Sequence, residues 1–536
     1  MPHEHFGLLS ILPALIAITL AVITKDVILS LALGILGGFI VMYGFDPLLL
    51  LTKISDLMVL KLSDAWNLRI ILFVILLGSL IGMLSKAGAV AAFGKSSIKI
   101  IKKRKNVLLV TWVIGIIMFI DDYFSALSVG SVMRPVSDNH RISRAKLAYF
   151  VHATAPTICV LIPFSSWVVT INSQIKQAEG FKALNVSEFS FFLQMIPYNF
   201  YVISTLVLML VMWLTNRDFK LMKESEEKAY NEGILFNSQK YGACVEHLEE
   251  HEDIKAKVYW FDMLFPLFLL IVACIVAFPL SYYLDNPNSA LSIMEATTQS
   301  DSSKALLYGL VFSSSTTYLY FISRGLFTIK IASESFIDGI KSMVPALLIL
   351  SLAWMIGHTL SKSITDGGLG LPIYLSSILH TNFPIGIIPF IAFIFACVIA
   401  IATGTSWGTF GIMIPIMLPI VTSLANIQGL PYDDILNMSL LTMSAVVSGA
   451  IFGDHSSPIS DTGILSSTAT GCPHLEHIYT QIPYTLMVAV ASGLGFLVAG
   501  FIHNPLIGLP VSLVFMLIIF FTLTKKVKFK DSHYQE

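Results

Sequence analysis

Gly453-Asp454-His455-Ser456-Ser457-Pro458-Ile459-Ser460-Asp461-Thr462 interrupts an apolar segment that begins near Leu436. Carboxylates, a histidine and a cluster of hydroxyls in a membrane-length segment are costly. An ionisable group at that depth costs at least ~2.5–3.5 kcal/mol. Such a run persists where protein buries it or where it lines a wet cavity. An ion or substrate site is therefore expected here. Gly453 and Pro458 are expected to break the helix and free backbone groups. Asp454 and Asp461 supply charge, while Ser456, Ser457, Ser460 and Thr462 supply oxygens. His455 is placed to pair with a carboxylate and to titrate near neutrality. Asp454 lies closer to the expected centre of the segment than Asp461 does.

The surrounding chain fits a membrane. It is 55% hydrophobic and 12% charged, with mean hydropathy +0.78. A soluble protein carries roughly twice that charge fraction. Apolar runs recur from end to end, which predicts an all-α polytopic membrane protein with about 11–13 transmembrane segments. Candidate spans cover 7–24, 27–45, 68–85, 107–133, 146–168, 189–215, 260–283, 305–322, 343–361, 384–425, 436–462, 481–502 and 505–524. Gly7–Thr24 reads as a first span rather than a cleavable signal. Net charge is −1, and no broad basic surface suggests nucleic acid. The five cysteines lack paired spacing, so neither a disulfide frame nor a zinc site is expected.

Basic residues set the orientation. Lys95, Lys99, Lys102, Lys103, Arg104 and Lys105 are expected in the cytoplasm. So are Arg134, Arg141, Arg144 and Lys146, and Lys525, Lys526, Lys528 and Lys530 near the C-terminus. Only 107–133 separates the first two clusters, so a single crossing would put one of them outside. A hairpin that dips in and returns resolves the conflict, with its bend at Ile120-Asp121-Asp122-Tyr123. The segment 216–258 holds seven Lys/Arg and ten Asp/Glu and reads as a solvated cytoplasmic loop. Within it, His247 to Asp253 is an acidic, solvated stretch.

The second half repeats the plan. Asp121 to Pro135 aligns without gaps with Thr405 to Pro419, and Ile196-Pro197-Tyr198 matches Ile482-Pro483-Tyr484. Pro163-Phe164-Ser165-Ser166 takes roughly the place of the 453–462 run. Threading the chain puts the N-terminus outside, the C-terminus inside and the two repeats in opposite orientations. Inverted repeats with broken helices are the plan of many secondary transporters. The expected divisions are a first repeat in 1–215, the polar loop 216–258, a second repeat in 259–502 with a hairpin near 384–425, and a last helix with a basic tail in 503–536.

The candidate site gathers four pieces. Asp121-Asp122 places two carboxylates side by side, and repulsion with desolvation favours a proton on one of them. A bound cation reverses that preference, so one carboxylate can exchange H⁺ for Na⁺. Thr403-Gly404-Thr405-Ser406-Trp407-Gly408-Thr409 offers hard oxygen ligands, with glycines that let the backbone unwind. Ser165-Ser166 is the uncharged counterpart of the 453–462 run. His152 and His358 read as helix-bridging residues. Cys472-Pro473-His474 with His477 reads as a cytoplasmic loop rather than a metal site.

Phe119-Ile120-Asp121-Asp122-Tyr123, Met133-Arg134-Pro135 with Ser143-Arg144, Gly404-Thr405-Ser406-Trp407-Gly408 and the 453–462 run resemble the NhaC family of Na⁺/H⁺ antiporters. The likeness extends from about Leu68 to Ile502. It implies an ion-transporter fold of inverted repeats with re-entrant hairpins, and Na⁺ exchanged for H⁺ with no cofactor. The expectation is a non-enzymatic antiporter of the inner membrane, embedded in the lipid bilayer, with a homodimer as its candidate assembly. Asp121, Asp122, Ser165, Ser166, Thr403, Thr405, Ser406, Asp454, His455, Ser456, Ser457 and Asp461 form the expected ion or substrate site. Asp122, Thr405, Ser406, Asp454 and Ser456 are the candidate Na⁺ ligands. The alternative is Na⁺- or H⁺-coupled carriage of a small carboxylate or amino acid. An arginine or lysine deep in a span would favour that alternative, and Arg69, Arg134 and Arg324 all sit at expected span edges.

Overall fold

A computed structural model describes all residues except 1–4, 25, 99–100, 102, 243–256, 362–363, 365–366, 372, 375–383 and 530–536. Lys99, Lys102, Lys530 and the acidic stretch from His247 to Asp253 thus lie outside the described residues. The fold is helical, and among the described residues the one strand pairing is the two-residue match of Arg217–Asp218 with Lys525–Lys526. Eight described helices are long and apolar enough to cross a membrane. The number is ten if each of two bent pairs is one span. Part of the difference from the sequence-based count comes from broken segments whose pieces are short, and part from Gly7–Leu20 and Leu347–Leu360, which are apolar but shorter than a span.

Several helices escaped the sequence reading, among them Ala89–Ile98, Lys220–Glu232 in the polar segment, and Pro47–Ser63. Pro47–Ser63 follows Val27–Tyr43, and a 119° bend separates the pair. Gly44 at φ +74° ends the first helix, and Asp46 caps the second by accepting from Leu48 N and Leu49 N. Lys53, Asp56 and Lys61 dilute its apolar pattern. The expected 343–361 span is the C-terminal part of a longer helix, Ile329–Ser361. Its first turns carry Glu334 and Asp338, which pair with Lys86 at 3.8 and 2.8 Å. That helix crosses Ala65–Lys86 at a glycine contact. A β-carbon at Gly78 would collide with Gly339 O, and one at Gly339 with Gly78 O. Helices in lipid gain their attraction from such close backbone approach. Phe261–Asp285 shows the outward side of the bundle: Leu270, Cys274 and Phe278 are buried, while Phe268, Ile275 and Leu284 stay exposed, as a lipid-facing stripe should.

Both hairpins are present. Arg104–Ile117 and Asp122–Asn139 flank a break at 118–121, and Ile388–Thr403 and Ser406–Ile427 flank a break at 404–405. The first hairpin returns to its starting face, because the Arg104 guanidinium reaches Arg141 O at 3.4 Å. The polar segment sits on that face. Arg104 pairs with Glu226 at 2.7 Å, Arg141 donates to Tyr230 O, and Lys146 pairs with Asp218 at 2.7 Å with both side chains fully buried.

His474–Ile502 measures the distance to the other hairpin. Near its start, Glu476 accepts from Ser225 Oγ and Asn237 N of the polar segment. Near its end, Gly500 packs on Gly386, and His503 just beyond faces Asp434 at 3.9 Å. Those residues flank the second hairpin. A helix of 29 residues is about 43 Å long, so the hairpins open at opposite ends of the bundle. The repeats are inverted.

Candidate functional site

Four chain breaks meet between the halves. Besides the hairpin bends, the first half breaks between Arg144–Cys159 and Ser166–Gln177, and the second between Tyr432–Ser456 and Asp461–Thr470. After each break a new helix begins, at N-caps Asp121, Ser165, Thr405 and Ser460. The caps reproduce the repeat residue for residue: Asp121 matches Thr405, and Pro163-Phe164-Ser165 matches Pro458-Ile459-Ser460. Three of the caps accept backbone N–H bonds with their own side chains; Thr405 makes no such bond. The helices then exchange partners between halves. Asp122–Asn139 packs on Asp461–Thr470, and Ser406–Ile427 packs on Ser166–Gln177.

Gly453 does not break its helix, which runs on to Ser456. It instead permits contact, since a β-carbon there would collide with Ala400 of the second hairpin. The break itself falls at Ser457–Ser460, where Pro458 cannot continue the hydrogen-bond ladder. Gly404, at φ +71°, serves both needs at once. It adopts the left-handed conformation, and a β-carbon on it would meet Ile459 O at 2.5 Å.

Asp121 and Asp122 are buried and have distinct duties. Asp121 Oδ1 accepts from Tyr123 N and Phe124 N, and Oδ2 accepts from Ser166 Oγ at 2.9 Å. Asp122 joins the halves: Oδ1 accepts from Trp167 Nε1 at 2.9 Å and Oδ2 from Thr462 Oγ1 at 2.7 Å. Trp167 and Thr462 each stand two residues past a cap, so Asp122 receives the equivalent bond from each repeat. All four oxygens of this pair are engaged.

Asp454 differs. Its Oδ1 accepts from Ser460 Oγ at 2.8 Å, while Oδ2 is buried with no hydrogen-bond partner. His152 Nε2 stands 3.5 Å from that free oxygen. Asp454 also occupies the last turn of Tyr432–Ser456, the negative end of a helix dipole. Asp121 and Asp122 sit at a positive end. A carboxylate in the position of Asp454 is therefore favourably paired with a cation beside it. Across the halves the Tyr123 hydroxyl donates to Asp461 Oδ2 at 3.2 Å. Asp461 itself is exposed.

Several expected hydroxyl ligands turn elsewhere. Ser165 Oγ donates to Cys159 O, Thr403 Oγ1 to Ile399 O, Ser406 Oγ to Ala450 O and Ser457 Oγ to Ile401 O. Ser456 Oγ lies 2.9 Å from Thr485 Oγ1 rather than at Asp454. Thr405 is half-buried at the head of its helix. These bonds tie the broken ends to neighbouring segments.

The sequence reading missed residues that complete the site. His152 bridges to a neighbouring helix as expected, and its Nε2 also faces Asp454 at 3.5 Å. His477 is fully buried, and its helix begins at His474, so this stretch is not a loop. His477 Nε2 and Gln481 Nε2 each lie 3.0 Å from His152 Nδ1. The Tyr201 hydroxyl lies 3.0 Å from His455 Nδ1. One signal was available: His477 and Gln481 are four residues apart, which puts two polar groups on one face of an apolar helix.

Comparison with known proteins places the chain. It is 33% identical over 526 residues to an uncharacterised protein of Haemophilus influenzae, covering 96% of this chain and 95% of that one. It is 28% identical over 179 residues to a malate-2H⁺/Na⁺-lactate antiporter of Bacillus subtilis, covering 33% of this chain and 34% of that one. Over 157 residues it is 32% identical to an uncharacterised Na⁺/H⁺ antiporter of Haemophilus influenzae, covering 28% and 30%. The Na⁺/H⁺ antiporter family matches residues 158–501, a stretch that contains the caps Ser165, Thr405 and Ser460 together with Asp454, His455 and His477; Asp121, Asp122 and His152 lie just before it. This protein is a membrane transporter that belongs to the Na⁺/H⁺ antiporter family.

Proposed function

We propose that the chain exchanges Na⁺ for H⁺ across the inner membrane, with Asp454 as the residue that carries either ion. The observation behind this reading is the unpartnered, buried Oδ2 of Asp454 at the negative end of its helix. Ser460 Oγ orients the carboxylate. Asp122 couples the halves, because its two bonds to Trp167 and Thr462 must rearrange if one half moves against the other. The first hairpin and the polar segment face the cytoplasm, as does the C-terminus, and the second hairpin opens outside. Movement of one bundle against the other then exposes Asp454 to one side at a time.

A second reading, Na⁺- or H⁺-coupled movement of a small organic anion, draws on Thr405. That N-cap leaves the first N–H groups of Ser406–Ile427 without a side-chain acceptor, and such a helix start suits a carboxylate. The Bacillus subtilis relative, named for malate and lactate, agrees with this chemistry.

One assay separates the two. The protein is reconstituted in liposomes with a trapped pH dye and given Na⁺, Li⁺ or K⁺, then organic acids and amino acids. Exchange predicts proton movement on Na⁺ alone, abolished in Asp454→Asn. Proton movement that requires an organic solute would sink the exchange reading in favour of the second.

A further inference from the structure

His152, Asp454 and His455 each offer a ligand atom, and the three lie within 4.8 Å of one another in a fully buried place. The edge from His152 Nε2 to Asp454 Oδ2 is 3.5 Å. Ligands about 2.0–2.1 Å from a tetrahedral ion stand roughly 3.3 Å apart, so this edge already has the width of a coordination shell. His152 Nε2, His455 Nε2 and Asp454 Oδ2 all lack hydrogen-bond partners. Buried polar atoms without partners are costly, and three on residues this close together call for a common occupant.

The far sides of both rings are held. The Tyr201 hydroxyl meets His455 Nδ1, and His477 Nε2 meets His152 Nδ1. In the tautomer whose His152 Nδ1–H donates to His477, Nε2 is left with a bare lone pair facing Asp454. Gln481 Nε2 donates to His455 O and so anchors the backbone of that histidine. Partners behind the ligands fix ring orientation in metal sites in this way. Two imidazoles and one carboxylate suit a zinc-like ion rather than Mg²⁺ or an alkali cation.

We propose that His152, His455 and Asp454 bind a divalent transition-metal ion of the zinc class, with water completing the shell. The ion occupies the free oxygen of Asp454 and so blocks exchange. That consequence rests on the exchange reading; the binding does not.

The test uses the full chain, purified in detergent, stripped with a chelator and titrated with Zn²⁺ against a chromophoric competitor. One Zn²⁺ per chain is expected, lost in His152→Ala and in His455→Ala. Tyr201→Phe should weaken binding by about 10–100-fold. Zinc-edge X-ray absorption of the wild-type complex should show two imidazole nitrogens at about 2.0–2.1 Å, which decides the matter even if a histidine variant fails to fold. Absence of saturable binding, a sulfur ligand, or wild-type affinity in both histidine variants would overturn the site. In liposomes, Zn²⁺ should slow Na⁺-driven proton movement, and unimpeded movement at saturating Zn²⁺ would overturn the block. A chain that binds Zn²⁺ as described but moves no protons with Na⁺ supports the metal site and refutes exchange.

Discussion

Four aspartates meet at this site, and their hydrogen bonds separate their roles. Asp121 is a helix cap with both oxygens engaged, so its charge is secondary to its geometry. Asparagine caps helices as well as aspartate does. Asp121→Asn is therefore expected to fold and to exchange near the wild-type rate, while Asp121→Ala loses about 1 kcal/mol of stability with the cap. Asp454→Asn should fold equally well and exchange nothing. Parallel liposome assays and detergent melting curves check both claims, and an inactive but folded Asp121→Asn would return Asp121 to the ion path. At Asp122, Thr462→Val leaves one buried oxygen without its donor, which costs roughly 1–3 kcal/mol. Melting temperature should fall accordingly, and Thr462→Ser should restore it. Asp454 was legible in the sequence because a charge in an apolar segment has few explanations. His477 was overlooked because Cys472 and Pro473 before it read as part of a loop, and its spacing from Gln481 gains meaning only with the buried helix that begins at His474.

Among the elements, the glycine crossing of Ala65–Lys86 with Ile329–Ser361 is the tightest test of the scaffold. At Gly339 any β-carbon meets backbone, which cannot yield as a flexible side chain would. At Gly357, on the same helix, a β-carbon would reach Pro415 Cβ at an ordinary 3.5 Å. Overpacking typically costs about 1–3 kcal/mol, whereas alanine in place of a helical glycine gains up to about 1 kcal/mol where space allows. Gly339→Ala should thus lower the melting temperature in detergent and Gly357→Ala should hold or raise it; the reverse order would refute the crossing. The sequence located both helices by hydropathy. It shortened the second by fourteen residues because Glu334, Asp338 and Lys341 break the apolar pattern before the membrane-length part begins. The hairpin bends were legible for a different reason: basic residues at both ends of 107–133 forbid a single crossing. The exchange of partners between the broken segments was not, since it depends on contacts between distant residues that no local pattern records.

At the scale of the whole molecule, the polar segment clamps one face. Burial opposes charge on Glu226, but Arg104 and Lys146 outweigh it and hold the carboxyl below its usual range. A carboxyl held low in the folded state adds stability that is complete above its unfolded value, near 4.5, and is lost as pH falls through the lower folded value. Acid should therefore loosen the 217–242 segment, read as faster limited proteolysis below about pH 4.5, and Glu226→Gln should remove the part of that dependence due to this residue. Lys146 is the centre of the clamp, between Asp218 and Glu226 at 2.7 and 3.9 Å. Removing one partner of a buried ion pair strands the others, so Lys146→Met should cost about 3–5 kcal/mol.

The inverted arrangement makes a stricter demand on the whole bundle. Lys105 lies at the mouth of the first hairpin and Asp433 beyond the end of the second, both exposed. Separated by the length of His474–Ile502, they must face opposite sides of the membrane. The native cysteines at 159, 274, 397 and 472 are buried, so Cys244→Ser gives a quiet background for labelling. In that background Asp433→Cys should react with an impermeant maleimide on intact cells, and Lys105→Cys should react only after the membrane is opened. Reaction of both on intact cells would place the hairpins on one side, remove the inversion and with it the alternating exposure of Asp454. Reaction of Lys105→Cys alone would keep the inversion but reverse the chain in the membrane, with the polar segment outside.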